Sequence, residues 1–134
     1  MQFSLSLAAY DLEITYDYYR QIPGLSLHWL TDSRGSRNSL VLCVGNIKLL
    51  FQPLDQLEQQ HPTLFQHLGR TLLGSGILLE FECPDLDPVY QVARNQHWPI
   101  LYELDDREHQ RRELWTQDPN GYLIVMNEEP PPAP

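Results

Sequence analysis

The sequence predicts an α+β fold built from two copies of a βαβββ unit, and three observations carry that expectation. A short pattern, D-L-[E/D]-x-x-Y-x-x-x-R, occurs as Asp11, Leu12, Glu13, Tyr16 and Arg20 and again as Asp85, Leu86, Asp87, Tyr90 and Arg94. Self-similarity of this kind marks a repeated structural unit. A strand-like stretch precedes each copy, and three short strand candidates separated by turn signals follow each.

Each element has a local reason. Phe3–Ala9 and Ile77–Cys83 alternate in part between apolar and polar residues, as a strand with one covered face does. Asp11 and Asp85 then read as helix starts, because a carboxylate accepts hydrogen bonds from the free N–H groups of a first turn. Pro88 suits that turn, where its missing N–H costs nothing. The helices are expected to reach the neighbourhood of Gln21 and His97. Leu12, Tyr16 and Tyr19 share a face of the first, and Leu86, Val89, Tyr90 and Ala93 a face of the second. Pro23-Gly24 stops one helix and Trp98-Pro99 the other.

The strands that follow are Leu25–Leu30, Leu40–Val44 and Ile47–Gln52 in the first half, broken at Asp32-Ser33-Arg34-Gly35 and at Gly45-Asn46. In the second half they are Ile100–Leu104, Glu113–Gln117 and Tyr122–Asn127, with Asp118-Pro119-Asn120-Gly121 as a strong turn signal. A single domain is therefore expected over residues 1–128: a first module at 1–52, a linker at 53–75 with a short helix within Pro62–Gly69, and a second module at 76–128. The acidic, proline-rich tail, residues 129–134, is expected to be disordered.

Composition bounds the function. A chain of 134 residues is long enough to bury a core without disulfides. Its longest apolar runs, such as Leu40–Val44, are strand-length and too short for a membrane span. The N-terminus lacks the basic region of a signal peptide, and Cys43 and Cys83 read as reduced thiols in strands, so a cytoplasmic location is expected. The net charge of −9 argues against nucleic acid and against anionic membrane surfaces, both of which call for basic patches. It suits a cationic ligand. The basic cluster Arg107–Arg112 is interrupted by Glu108. The sequence contains neither a G-x-S-x-G elbow nor a glycine-rich phosphate loop, and it shows no cysteine–histidine arrangement with a supporting motif.

Taken together, Asp85, the Asp118-Pro119-Asn120-Gly121-Tyr122 hairpin and its following strand resemble the second module of the vicinal oxygen chelate (glyoxalase/bleomycin-resistance/dioxygenase) superfamily. Asp11-Leu12, Tyr18-Tyr19 and Ile22-Pro23-Gly24 resemble its first module, so that the resemblance covers Phe3 to Glu128. It implies curled sheets that face each other across a cleft, and a homodimer, in some members with modules exchanged between chains. In the catalytic branches it implies a divalent metal held by His, Glu or Gln on the first and last strands of each module. At the positions so assigned this chain has Ser4, Leu78 and Val125, with Lys48–Leu50 covering the remaining one. None of these suits Zn, Ni, Mn or Fe. His28, His61, His67, His97 and His109 lie on different elements without ligand spacing and read as solvated or packed side chains. The expectation is no metal and no cofactor.

If Leu78 faces the cleft, strand alternation turns Glu80 and Glu82 the same way and sends Leu79, Phe81 and Cys83 to the core. It likewise puts Glu113 and Trp115 on the cleft side, against Leu114 and Thr116 on the helix side. Ser4 and Ser6 join them from the facing strand, with Tyr102 and Trp29 as walls. Three carboxylates beside an indole suit a flat cationic or aromatic small molecule, through charge, stacking and cation–π attraction. The second half resembles the metal-free bleomycin-resistance branch, which sequesters a basic drug, although His109-Gln110-Arg111 stands where that branch often has Trp-Gly. The expected function is thus non-catalytic binding of a small molecule, antibiotic sequestration being one form. Two alternatives stay open: a metal-dependent lyase, isomerase or dioxygenase of the same superfamily with ligands elsewhere, and a dimeric interaction module whose cleft its partner fills.

Overall fold

The structure is a computed structural model that describes residues 1, 4–65, 73, 74 and 76–128. The element order is β1 (Leu5–Ala9), α1 (Leu12–Tyr19), β2 (Ser26–Thr31), β3 (Arg37–Val44), β4 (Ile47–Pro53), α2 (Leu54–Gln60), α3 (Pro62–Phe65), β5 (Leu78–Cys83), α4 (Asp87–Asn95), β6 (Ile100–Asp106), β7 (Arg111–Gln117) and β8 (Leu123–Glu128). The chain divides into two compact units, Met1–Leu73 and Gly74–Pro134. Each contains a four-stranded mixed sheet, ordered β1-β4-β3-β2 in the first and β5-β8-β7-β6 in the second. The fold is α+β, with one βαβββ arrangement in each unit.

The first strand of each unit runs parallel to the last, and the registers correspond. Leu7 pairs with Phe51 as Phe81 pairs with Met126, and Ser6 pairs with Leu50 as Glu80 pairs with Val125. In the first unit Leu7, Phe51, Leu40 and Leu42 are buried on one sheet face. The Tyr19 ring of α1 lies 5.2 Å from that of Phe51. Asp11 caps α1, its Oδ1 accepting from the Ile14 N–H at 3.0 Å. The sequence places Leu12, Tyr16 and Tyr19 on one face of this helix; the structure buries Tyr19 together with Thr15 and Tyr18 and leaves Leu12 and Tyr16 half-buried. Thr15 is tolerated there because its hydroxyl donates to the Asp11 carbonyl at 2.7 Å, which satisfies its polar atom before it meets the core. Still within the first unit, α2 occupies a stretch that reads as linker in the sequence, and α3 covers the start of the helix expected within Pro62–Gly69. Residues 66–69, like Phe3 and the tail at 129–134, lie outside the described residues.

In the second unit Leu79, Phe81, Leu114, Ile124 and Met126 are buried on one sheet face, and α4 buries Val89, Tyr90 and Ala93. Cys83 joins this core with its sulfur 3.9 Å from that of Met126. Burial, reinforced by the negative charge of Glu128, pushes its thiol pKa up, which keeps it protonated and unreactive. The helix begins at Asp87, later than Asp85, and Asp85 Oδ1 accepts from the Asp87 N–H at 2.9 Å. Glu128, at the far end of β8, accepts from the Leu86 N–H at 2.7 Å and from Arg112 at 3.0 Å. The Asp118–Gly121 turn closes as its composition requires. Asp118 Oδ1 accepts from the N–H groups of Asn120 and Tyr122, each at 2.9 Å, and Gly121 takes a φ of 99°. Gly74 packs so tightly on this turn that a Cβ there would overlap the Gly121 carbonyl and the Tyr122 Cα. No helix among the described residues is long and apolar enough to cross a membrane.

Candidate functional site

With α4 covering one face of the second sheet, strand register fixes what stands on the opposite face. One row across the strands reads Glu80, Val125, Trp115, Tyr102, and the next reads Glu82, Asn127, Glu113, Leu104. Glu80, Glu82 and Tyr102 are exposed, while Glu113, Trp115 and Leu104 are half-buried. A shallow concavity of about 590 Å³ lies over β6 and β7, lined by Tyr102, Leu104, Arg111, Glu113 and Trp115. Within it the Trp115 indole N–H donates to Glu113 Oε1. The Tyr102 ring stands edge-on to the indole, 6.0 Å between centroids and 81° between planes. That T-shaped arrangement places the positive ring edge of one residue near the negative face of the other. The hydrogen bond and the edge contact together restrict the indole to one orientation.

The structure therefore brings Tyr102, Glu113 and Trp115 to one place. Glu80 and Glu82 share their face but stand on β5, two strands away and outside the concavity, roughly 10 Å from β7 at ordinary strand spacing. Ser4 and Ser6 belong to the first unit, where both are exposed and Ser6 is in register with Leu50, Val41 and His28. Trp29 requires a correction. Its register with Leu40 and Phe51 puts it on the helix-covered face of the first sheet, where Tyr16 of α1 lies 5.3 Å away and the Arg37 guanidinium 4.6 Å above the ring. Leu27 and Trp29 alternate with the polar Ser26 and His28, so packing on α1 is the arrangement that buries more apolar surface. Leu104 and Arg111 line the concavity without having been singled out in the sequence. Leu104 follows Tyr102 by one strand period, and Arg111 comes into view because β7 starts before Glu113.

The helix-covered side carries a second hollow, of about 280 Å³, lined by Asp87, Tyr90, Gln91, Arg94, Glu103, Asp105 and Arg112. Its charges are largely spent on one another. Arg112 pairs with Asp87 at 2.8 Å and Glu128 at 3.0 Å, and Arg112 and Arg94 lie over the Tyr90 ring at 5.3 and 5.7 Å. Burial, with the adjacent Glu103 carboxylate, pushes the Tyr90 phenol up to about 12. This network braces α4 against the sheet.

The divalent metal of the catalytic branches does not fit the residues present. The register that matches Ser6–Leu50 to Glu80–Val125 resolves the fourth ligand position within Lys48–Leu50 to Leu50. Ser4, Leu50, Leu78 and Val125 contribute no imidazole or carboxylate. Among the described residues, no group of three or more His, Cys, Asp or Glu side chains is arranged to hold a metal ion.

Sheet order, the parallel first and last strands and the covering helices define the glyoxalase/bleomycin-resistance fold. Solved structures agree. A bleomycin resistance determinant encoded on the transposon Tn5 aligns with a TM-score of 0.59 at 18% identity, over 96% of this chain and 98% of that one. A bleomycin-binding protein complexed with bleomycin aligns at 0.55 and 19%, over 97% and 99%. The lactoylglutathione lyase of Agrobacterium tumefaciens aligns at 0.61 and 16%, over 96% and 92%. No family model matches the sequence, and no curated protein matches it. At these identities the likeness establishes the fold.

Proposed function

We propose that this protein binds an aromatic small molecule on the face of its second sheet away from α4, without metal and without chemical conversion. The observation that carries this reading is the fixed, half-buried Trp115: its N–H is held by Glu113, its edge is set by Tyr102, and it lines a concavity of about 590 Å³. A flat indole held in one orientation offers a stacking surface at little entropic cost on binding. The exposed carboxylates of Glu80 and Glu82 give the β5 side of the same face a negative margin that suits a cationic substituent. Two proteins of the same fold are a bleomycin resistance determinant and a bleomycin-binding protein, which makes a bulky basic aromatic compound a reasonable first member of any ligand panel.

The test is a thermal-shift screen with basic aromatics and glycopeptides, bleomycin included, on the wild type and on Trp115→Ala. A true ligand at a hundred times its Kd stabilises the native state by about 2.7 kcal/mol. The expected result is a stabilising compound whose effect vanishes in Trp115→Ala. A screen with no shift, or a shift that the substitution leaves intact, overturns the reading.

A further inference from the structure

We infer that Arg111 is a specificity determinant of this site, selecting ligands whose aromatic ring carries an oxyanion, so that the full ligand is an ampholyte. The inference rests on the proposed binding role of Trp115. Its starting point is a mismatch of charge: the chain carries −9, yet the concavity itself does not have an acidic surplus. Of its five lining side chains one is an anion and one a cation. The anion, Glu113, is already engaged by the indole N–H. The cation, Arg111, makes no ion pair among the described residues, whereas its neighbour Arg112 is held by two carboxylates, and Arg20, Arg37 and Arg107 each have one. The concavity is thus neutral in sum, with a carboxylate already hydrogen-bonded and a guanidinium that makes no ion pair among the described residues.

Strand geometry places that charge. Arg111, Glu113 and Trp115 alternate along β7 onto one face, so Arg111 lies roughly 13 Å along the strand from Trp115 before its own reach is counted. A guanidinium extends back over part of that distance and presents paired donors to a carboxylate, sulfonate or phosphate. Arg111 also borders the hollow of about 320 Å³ at the β6–β7 hairpin, where Asp105, Asp106 and Glu128 balance Arg107, Arg111 and Arg112, so the place for an oxyanion is on the concavity side of Arg111. Glu80 and Glu82 stand on the opposite side, across β8. A ring stacked on Trp115 thus has the Arg111 guanidinium on its hairpin side and the Glu80 and Glu82 carboxylates beyond β8. This orders the ligand: oxyanion to the hairpin, cation to β5.

The experiment measures affinity for 8-anilinonaphthalene-1-sulfonate and for its uncharged parent, N-phenyl-1-naphthylamine, by fluorescence titration. Wild type, Arg111→Gln and Trp115→Ala are compared at low and high salt, with circular dichroism confirming that each variant is folded. Wild type should bind the sulfonate roughly five-fold tighter than the parent at low salt, with the preference shrinking as salt rises. Arg111→Gln should erase that preference and leave the parent's affinity unchanged, while Trp115→Ala should lose both probes. An intact sulfonate preference in Arg111→Gln overturns the role of Arg111 and leaves the binding site standing. Binding of both probes untouched by Trp115→Ala, or binding of neither to wild type, overturns the site itself and the inference with it.

Discussion

In the first unit, Trp29 lies beneath α1, packed on Tyr16 and covered by Arg37; in the second, Trp115 and Tyr102 lie on the side of the sheet away from α4. The two units share strand order and register, so the difference is one of side-chain parity within a common frame. The second unit fills the space under its helix with Tyr90 and a lattice of ion pairs around Arg112. Phe81 of β5 shares that covered face, while Trp115 and Tyr102 stand on the other. The comparison teaches that an aromatic residue's role here is set by which face its strand position serves.

The comparison is sharpest in the cores. Phe51 and Met126 occupy corresponding places on β4 and β8, and both are fully buried. Phe51→Ala should cost about 3–5 kcal/mol and Met126→Ala about 2–5 kcal/mol by urea denaturation. A negligible cost at either site would break the correspondence. The tryptophans come next. Trp29→Ala should lower stability by about 2 kcal/mol through lost packing, and Trp115→Ala by less than about 1 kcal/mol while removing ligand binding. Equal stability losses would mean that both indoles are structural.

Glu128→Ala should cost about 1–2 kcal/mol, since it strips the Leu86 N–H of its acceptor and Arg112 of one carboxylate; the first unit offers no equivalent target, because α1 is capped by its own Asp11. Tyr90 supplies a pH signature. Its folded pKa, about 12, lies above the ordinary phenol value, so its contribution is complete below pH 10 and drains away as pH rises through 12. Tyr90→Phe should therefore be less stable than wild type at pH 9, by on the order of 1 kcal/mol, with the gap closing toward pH 12. The smallest effect is expected for Arg37→Ala, under about 1 kcal/mol, because its cation–π contact and its pair with Glu13 are both solvent-exposed.

Much of this was legible before any coordinates. Period-two alternation in Leu78–Cys83 and the turn chemistry of Asp118–Gly121 are local signals, and local signals specify strands and hairpins. Alternation also suffices to put Glu113 and Trp115 on one face of β7, whereas Tyr102 joins them through the β6–β7 register. What escaped was tertiary. Arg111 and Arg112 look like loop, because a charged pair hides the start of β7; the partners that make Arg112 a sheet residue, Asp87 and Glu128, are distant in sequence. Thr15 looks like surface until its hydroxyl is seen to bond the Asp11 carbonyl. Leu54–Gln60 reads as linker because it follows Pro53 without a side-chain cap, yet Leu54 is buried and anchors it. Trp29 is a different case, since its alternation with Ser26 and His28 already favoured the helix side.

The close approach of Gly74 to Gly121 and Tyr122 has a consequence for how this protein can diverge. That end of the second sheet admits neither a side chain nor an extra residue without shifting β8, and a one-residue slip would turn Leu123, Val125 and Asn127 to the helix side in place of Ile124 and Met126, undoing the packing there. The hairpin at the other end, Arg107–Gln110, is exposed and carries no such constraint. Insertions and substitutions should accumulate there, beside Arg111, so descendants of this sequence can change what they recognise while inheriting an unaltered scaffold.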